Sequence, residues 1–142
     1  MSNTLDQKQI HAVIIEDNKI FRFIFSNMLK QYEPQKILIT EYENGTDLLE
    51  DVQANRNILD SKLLFIDLNM PTLTGWELLD KLQPYLKHRL GDPLIFIISS
   101  SISKLDQENL RNYPFVRGYI TKPFTKEYLF NLLDETFSTL SI

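Results

Sequence analysis

At four places in this 142-residue chain, a reactive side chain stands directly after a run of apolar residues. Ala12 to Ile15 is followed by Glu16 and Asp17, Leu63 to Ile66 by Asp67, Leu94 to Ile98 by Ser99, and Val116 to Ile120 by Thr121, Lys122 and Pro123. Taken singly, each stop has an ordinary reading. Glu16 and Asp17 could cap a helix, Asp67 could serve a turn before Pro71, Ser99 could open a helix, and Lys122-Pro123 could be loop. Taken together they define chemistry. If the four runs are parallel strands of one sheet, their ends meet on one edge and three carboxylates share a pocket. Two carboxylates about 4 Å apart repel by roughly 4 kcal/mol at an effective dielectric near 20, worth about 3 pKa units, so the cluster must take up a proton or a cation. Lys122 supplies one positive charge. Oxygen-only ligands, with no His or Cys in reach, favour Mg2+ for the rest. Such a pocket suits an incoming phosphoryl group: Lys122 and Mg2+ neutralise its oxygens, Asp67 attacks as nucleophile to form an acyl phosphate, and Ser99 donates to a phosphoryl oxygen.

The elements that must position these groups are legible around them. A fifth run, Ile37 to Tyr42, alternates in the manner of a strand nearer an edge. Between the runs lie helical patterns. Ile20, Phe21, Ile24, Phe25, Met28 and Leu29 form two adjacent i, i+4 rows, with Asp17 or Asn18 as N-cap. Thr46 to Ala54 follows the Asn44-Gly45 turn, and Trp76, Leu78, Leu79 and Leu82 follow Gly75. Ser103 with Asp106 opens another helix, and Thr125 precedes a last one. Strand and helix thus alternate five times. Continuous hydrophobic strands alternating with helices predict an α/β fold, a parallel sheet covered on both faces and joined by right-handed crossovers. Ligands of such sheets sit beyond the carboxyl ends of the strands. The expected organisation is one domain over residues 10–142 behind a short leader, 1–9, with no output domain.

Composition narrows the function classes. Fifteen Lys and Arg against nineteen Asp and Glu give a net charge of -4, without a basic cluster, which argues against direct contact with nucleic acid. No apolar run is long enough to predict membrane insertion, and no secretory leader is visible. The absence of cysteine excludes disulfides, thiol nucleophiles and Cys-based zinc sites. The expected compartment is the cytoplasm. His11 and His88 are read as surface residues, Trp76 as packing, and Phe21, Phe23 and Phe25 as helix packing with Phe23 off the main stripe.

On Glu16-Asp17, Asp67 with Met70-Pro71 and Gly75 following, Ser99 and Lys122-Pro123, the chain resembles the receiver domain of two-component response regulators over about residues 10–140. The resemblance implies a doubly wound, three-layer fold with five strands in the order 2-1-3-4-5. It implies phosphorylation of Asp67 by a histidine kinase or phosphotransfer protein. Mg2+ would be held by Asp17, Asp67 and the backbone carbonyl of Asn69, and by Glu16 mostly through water. It further implies a cis peptide before Pro123, Tyr119 as an aromatic switch that follows Ser99, and Asn69 and Ser101 as residues tuning acyl-phosphate lifetime. Two departures stand out: Glu at 16 for the commoner Asp, and Ser at 99 for the commoner Thr. The expected protein is a phosphoacceptor and not a turnover enzyme, a stand-alone receiver that signals to a downstream protein through its fourth helix, fifth strand and fifth helix. It would be a monomer or a weak dimer through that surface. Haloacid-dehalogenase-type phosphatases also use a strand-end Asp with Mg2+, but they need a second acid two residues on, where this chain has Asn69, and they place the nucleophile on the first strand. A receiver-like interaction module without phosphotransfer is the remaining alternative.

Overall fold

The computed structural model describes residues 9–54, 56–87 and 91–140. Five strands, β1 (Gln9–Ile15), β2 (Lys36–Tyr42), β3 (Leu63–Asp67), β4 (Leu94–Ser99) and β5 (Val116–Thr121), alternate with five helices. These are α1 (Lys19–Lys30), α2 (Gly45–Gln53), α3 (Gly75–Leu82), α4 (Lys104–Asn109) and α5 (Lys126–Leu140). The strands pair in parallel in the order β2-β1-β3-β4-β5. Gln9 already belongs to β1, one residue inside the expected leader; positions 1–8, the rest of that leader, and His88 lie outside the described residues.

Successive strand residues point to opposite faces, so the unbroken apolar runs feed two cores. Val13, Ile15, Leu64, Ile66, Ile95 and Ile97 meet Leu48, Leu49 and Val52 of α2 and Leu78, Leu79 and Leu82 of α3. Ala12, Ile14, Leu63, Phe65, Phe96, Ile98 and Ile120 meet Phe25 and Leu29 of α1 and Leu129 and Leu133 of α5. Strand order turns back between β1 and β3, opening a crevice there at the carboxyl ends.

Local chemistry starts the helices where expected. Asn18 accepts from the Phe21 amide, Asn44 from Asp47 and Thr125 from Tyr128, while Ser103–Asp106 and Thr74–Glu77 form reciprocal capping boxes. Two expectations need correction. Of the α1 rows, only Phe21, Phe25, Met28 and Leu29 pack inward; Ile20 is 73% and Ile24 46% exposed, and Phe23 joins them in solvent. The helix lies on one core, so the second row faces outward. His11 is half-buried rather than a surface residue: its ring bridges Thr40 Oγ1 at 2.6 Å and Ser61 Oγ at 3.0 Å, binding β1 to β2 and to the approach to β3.

The loop after β3 contains a strained residue. Thr72 has φ of 70°, and the Leu73 amide bonds back to the Pro71 carbonyl at 2.7 Å across it, making a tight γ-turn centred on a β-branched side chain. Thr72→Gly should relieve the strain and stabilise the protein by about 1 kcal/mol after the entropy cost of glycine, raising the melting temperature by about 3 °C. A lower melting temperature in calorimetry would show that the turn is not strained.

Candidate functional site

Glu16 directly follows β1 and is 1% exposed; Asp67 ends β3 and is 3% exposed. Neighbouring strands pair Ile15 with Ile66, so the two acids come up side by side. Asp17 is exposed at the crevice mouth, and one oxygen from each of the three carboxylates lies within 4.8 Å of the others. Lys122, just past β5, reaches across: its Nζ is 2.6 Å from Glu16 Oε1 and 3.6 Å from Asp67 Oδ1, and 4.5 Å above the Phe21 ring. The second Glu16 oxygen accepts from the Asn18 amide at 3.0 Å, and Asp67 Oδ1 accepts from the Asn69 amide at 3.3 Å. Ser99, at the end of β4, is fully buried. Its hydroxyl donates to the Ser101 carbonyl at 2.8 Å and accepts from the Asn69 side-chain amide at 3.0 Å.

The remaining predicted site residues fall as follows. Tyr119 lies on β5 beside Ile97 and is 40% exposed. The Lys122–Pro123 peptide is cis. Gly75 begins α3 under the end of β3: a Cβ there would stand 2.7 Å from the Asp67 carbonyl oxygen and 2.8 Å from Leu68 Cα, so the approach of helix to strand requires glycine.

Three contributions were not anticipated from the sequence. Arg22 donates from Nη1 to the Glu16 carbonyl at 2.6 Å and from Nε to Glu41 at 3.1 Å, pinning the end of β1 from the first turn of α1. Phe21 floors Lys122, and the Asn69 side chain, not only its backbone, touches Ser99. A signal for Arg22 did exist. Helical side chains lean toward the helix N-terminus, so an Arg one turn into α1 overhangs the strand end before it.

Burial raises the Glu16 carboxyl to about 7, with the Lys122 and Asn18 hydrogen bonds opposing; burial likewise raises Asp67 above its ordinary value, with Lys122 opposing. The folded protein therefore binds more protons than the unfolded chain between pH about 4.5 and about 7. In chelator, stability should rise as pH falls through that window, the gain being complete below the unfolded value. Glu16→Gln should flatten the slope, read as urea midpoints at pH 5 and pH 8; an unchanged slope in the variant would dissociate the effect from Glu16.

A parallel five-stranded sheet in this order, with an acidic pocket and a lysine at its switch point, is the architecture of a receiver. The family model for the response regulator receiver domain matches residues 12–134, and the chain belongs to that family. It is 28% identical over 127 residues to the chemotaxis protein CheY1 of Helicobacter pylori, covering 89% of this chain and 96% of that protein. Among solved structures, a two-component response regulator from Cytophaga hutchinsonii superposes with a TM-score of 0.76 at 22% identity, covering 93% of this chain and 98% of that one. The receiver domain of the sensor histidine kinase PA1611 from Pseudomonas aeruginosa, described with a magnesium ion in its active-site cleft, has a TM-score of 0.70 at 17% identity, covering 89% and 96%. Among the described residues, no helix is long and apolar enough to cross a membrane.

The donor set also fits a hard divalent ion. Three carboxylates converge within 4.8 Å, no nitrogen or sulfur ligand is among them, and one ammonium leaves them net negative.

Proposed function

We propose that the chain is a phosphoacceptor of a two-component relay, taking a phosphoryl group on Asp67 from a histidine kinase or phosphotransfer protein, without turnover of an external substrate. The observation that carries this reading is the convergence of buried Asp67 with Glu16, Asp17 and Lys122 on one strand edge. Glu16, Asp17, Asp67 and the Asn69 carbonyl would hold Mg2+, which when bound offsets charge on the phosphoryl oxygens; the magnesium described in the PA1611 receiver supports this assignment. An Asp67 carboxylate oxygen attacks phosphorus, the O–P bond forms as the phosphohistidine P–N bond breaks, and the imidazole leaves with the bonding pair and takes up a proton. Lys122 lies within reach of Asp67 and offers a cation to the transferring oxygens. Exposed Ile20, Phe23 and Ile24, on the helix that opens at the pocket, give a protein donor an apolar surface to rest on.

After transfer, the new phosphoryl oxygens compete for Ser99. Its hydroxyl proton is now given to Ser101, so turning to the phosphoryl group breaks that bond and loosens the start of the β4–α4 loop. Tyr119, half-exposed on the neighbouring strand, would then move inward behind it. The surface of α4, β5 and α5 would carry the change to a downstream protein. The test is incubation with acetyl phosphate and Mg2+, with intact mass as the readout: one phosphoryl group per chain, mapped to Asp67, is expected. Absence of label, or continuous hydrolysis of phosphate monoesters, would overturn the assignment.

A further inference from the structure

α4 is held to the body through its flanks and through polar contacts. None of its six residues is buried, and Leu105 at its outer side is 76% exposed. Among the described residues, its apolar anchoring comes from flanking positions, where half-buried Ile102 and Leu110 pack against the core. From within the helix, Asp106 reaches back to α3: its Oδ1 accepts from Trp76 Nε1 at 3.3 Å. The same carboxylate closes the helix start, since Asp106 Oδ2 accepts from the Ser103 amide at 3.1 Å while Ser103 Oγ accepts from the Asp106 amide at 3.0 Å. Trp76 is in turn fixed. Its ring stacks on Tyr113 at 5.2 Å between centroids, and the Tyr113 hydroxyl donates to Asp80 of α3 at 2.8 Å.

This arrangement joins the phosphoryl pocket by a continuous route. Ser99 Oγ bonds the Ser101 carbonyl and, at 3.3 Å, the Ser101 amide; two residues later Ser103 is the cap whose partner is Asp106. A movement of Ser99 toward a group on Asp67 pulls on Ser101 and Ser103, and the cap cannot shift without moving the carboxylate that receives the indole N–H. A hydrogen bond of this length is weak enough to give way and strong enough to bias a two-state equilibrium several-fold.

We propose that the Trp76–Asp106 bond is a latch that holds α4 in its unphosphorylated position and opens on phosphorylation. The inference rests on the phosphoacceptor reading of Asp67, and the two are separable by experiment. The chain has a single tryptophan, so tryptophan fluorescence reports on the surroundings of Trp76. Acetyl phosphate with Mg2+ should change the intensity and wavelength of Trp76 emission in step with phosphoryl incorporation measured by mass; Mg2+ alone, or Asp67→Asn protein under the same conditions, should not. Incorporation without a change in emission overturns the latch while leaving the phosphoacceptor reading intact. No incorporation overturns the reading beneath it. Trp76→Phe keeps a ring on Tyr113 but removes the N–H donor. Loss of one such bond should raise the rate of phosphorylation by acetyl phosphate, and amide exchange across residues 101–109, by about five-fold. A variant that is merely less stable, with phosphorylation and exchange in that segment unchanged, would assign Trp76 a packing role and sink the latch.

Discussion

Asp67→Asn should abolish phosphoryl incorporation and leave a folded, more stable protein. The carboxylate is almost fully buried, its pKa raised by desolvation, and faces Glu16 and Asp17 with Lys122 as the ammonium that it shares with Glu16. An amide of the same shape keeps an oxygen for the Asn69 N–H while removing one charge from an overfilled pocket. Its nitrogen has no lone pair free to attack phosphorus, so the transfer step is lost outright rather than slowed. At pH 8 in chelator the variant should gain about 1 kcal/mol in urea unfolding, since a buried, undercompensated charge is costly. Labelling at the parental rate would refute the phosphoacceptor assignment, and a destabilised variant would mean that Asp67 pairs with Lys122 more favourably than the 3.6 Å separation indicates.

Lys122→Met carries the second-largest effect, and it acts on both folding and transfer. The methionine stem retains contact with Phe21, so the loss is chiefly the charge. Glu16 and Asp67 then face each other with no adjacent lysine, and breaking a buried pair by removing one partner costs about 3–5 kcal/mol. The cost should be greatest at pH 8. It should fall as pH drops toward about 7, because loss of the lysine raises Glu16 further and the variant takes up this proton at a higher pH than the parent. Placing the same change in an Asp67→Asn background should recover part of the loss, since one of the two repelling charges is already gone. Transfer from acetyl phosphate, measured at saturating Mg2+ under conditions where the variant is folded, should slow about 10²–10³-fold, the usual effect of removing one preorganised group that meets developing charge. Wild-type stability at pH 8 together with wild-type transfer would remove Lys122 from the site.

Much of this was written in short stretches of chain. The apolar runs predict the strands because a strand buried on both faces must be apolar at every position. Asn18, Asn44, Ser103 and Thr125 predict helix starts because a side-chain oxygen satisfies an amide only a few residues away. The polar stops are equally local, each standing at the end of its strand or just past it. The α1 stripe misled for the opposite reason: periodicity shows which residues could be buried, but not how many faces of a helix find a partner, and α1 found one.

By itself, the sequence determined the elements, their parallel character and which side chains stood at the strand ends; the strand order came from family resemblance. What the tertiary structure alone decided is how those ends meet. Glu16 and Lys122 are 106 residues apart, and Asn69 and Ser99 are 30 apart, so no local pattern encodes the 2.6 Å ion pair or the amide that holds the Ser99 hydroxyl. The depth at which Glu16 and Asp67 lie, and hence their raised pKa values, follows from two cores closing over the sheet. Burial and charge proximity are properties of the packed whole, because desolvation and Coulomb interaction depend on distances through space and not along the chain.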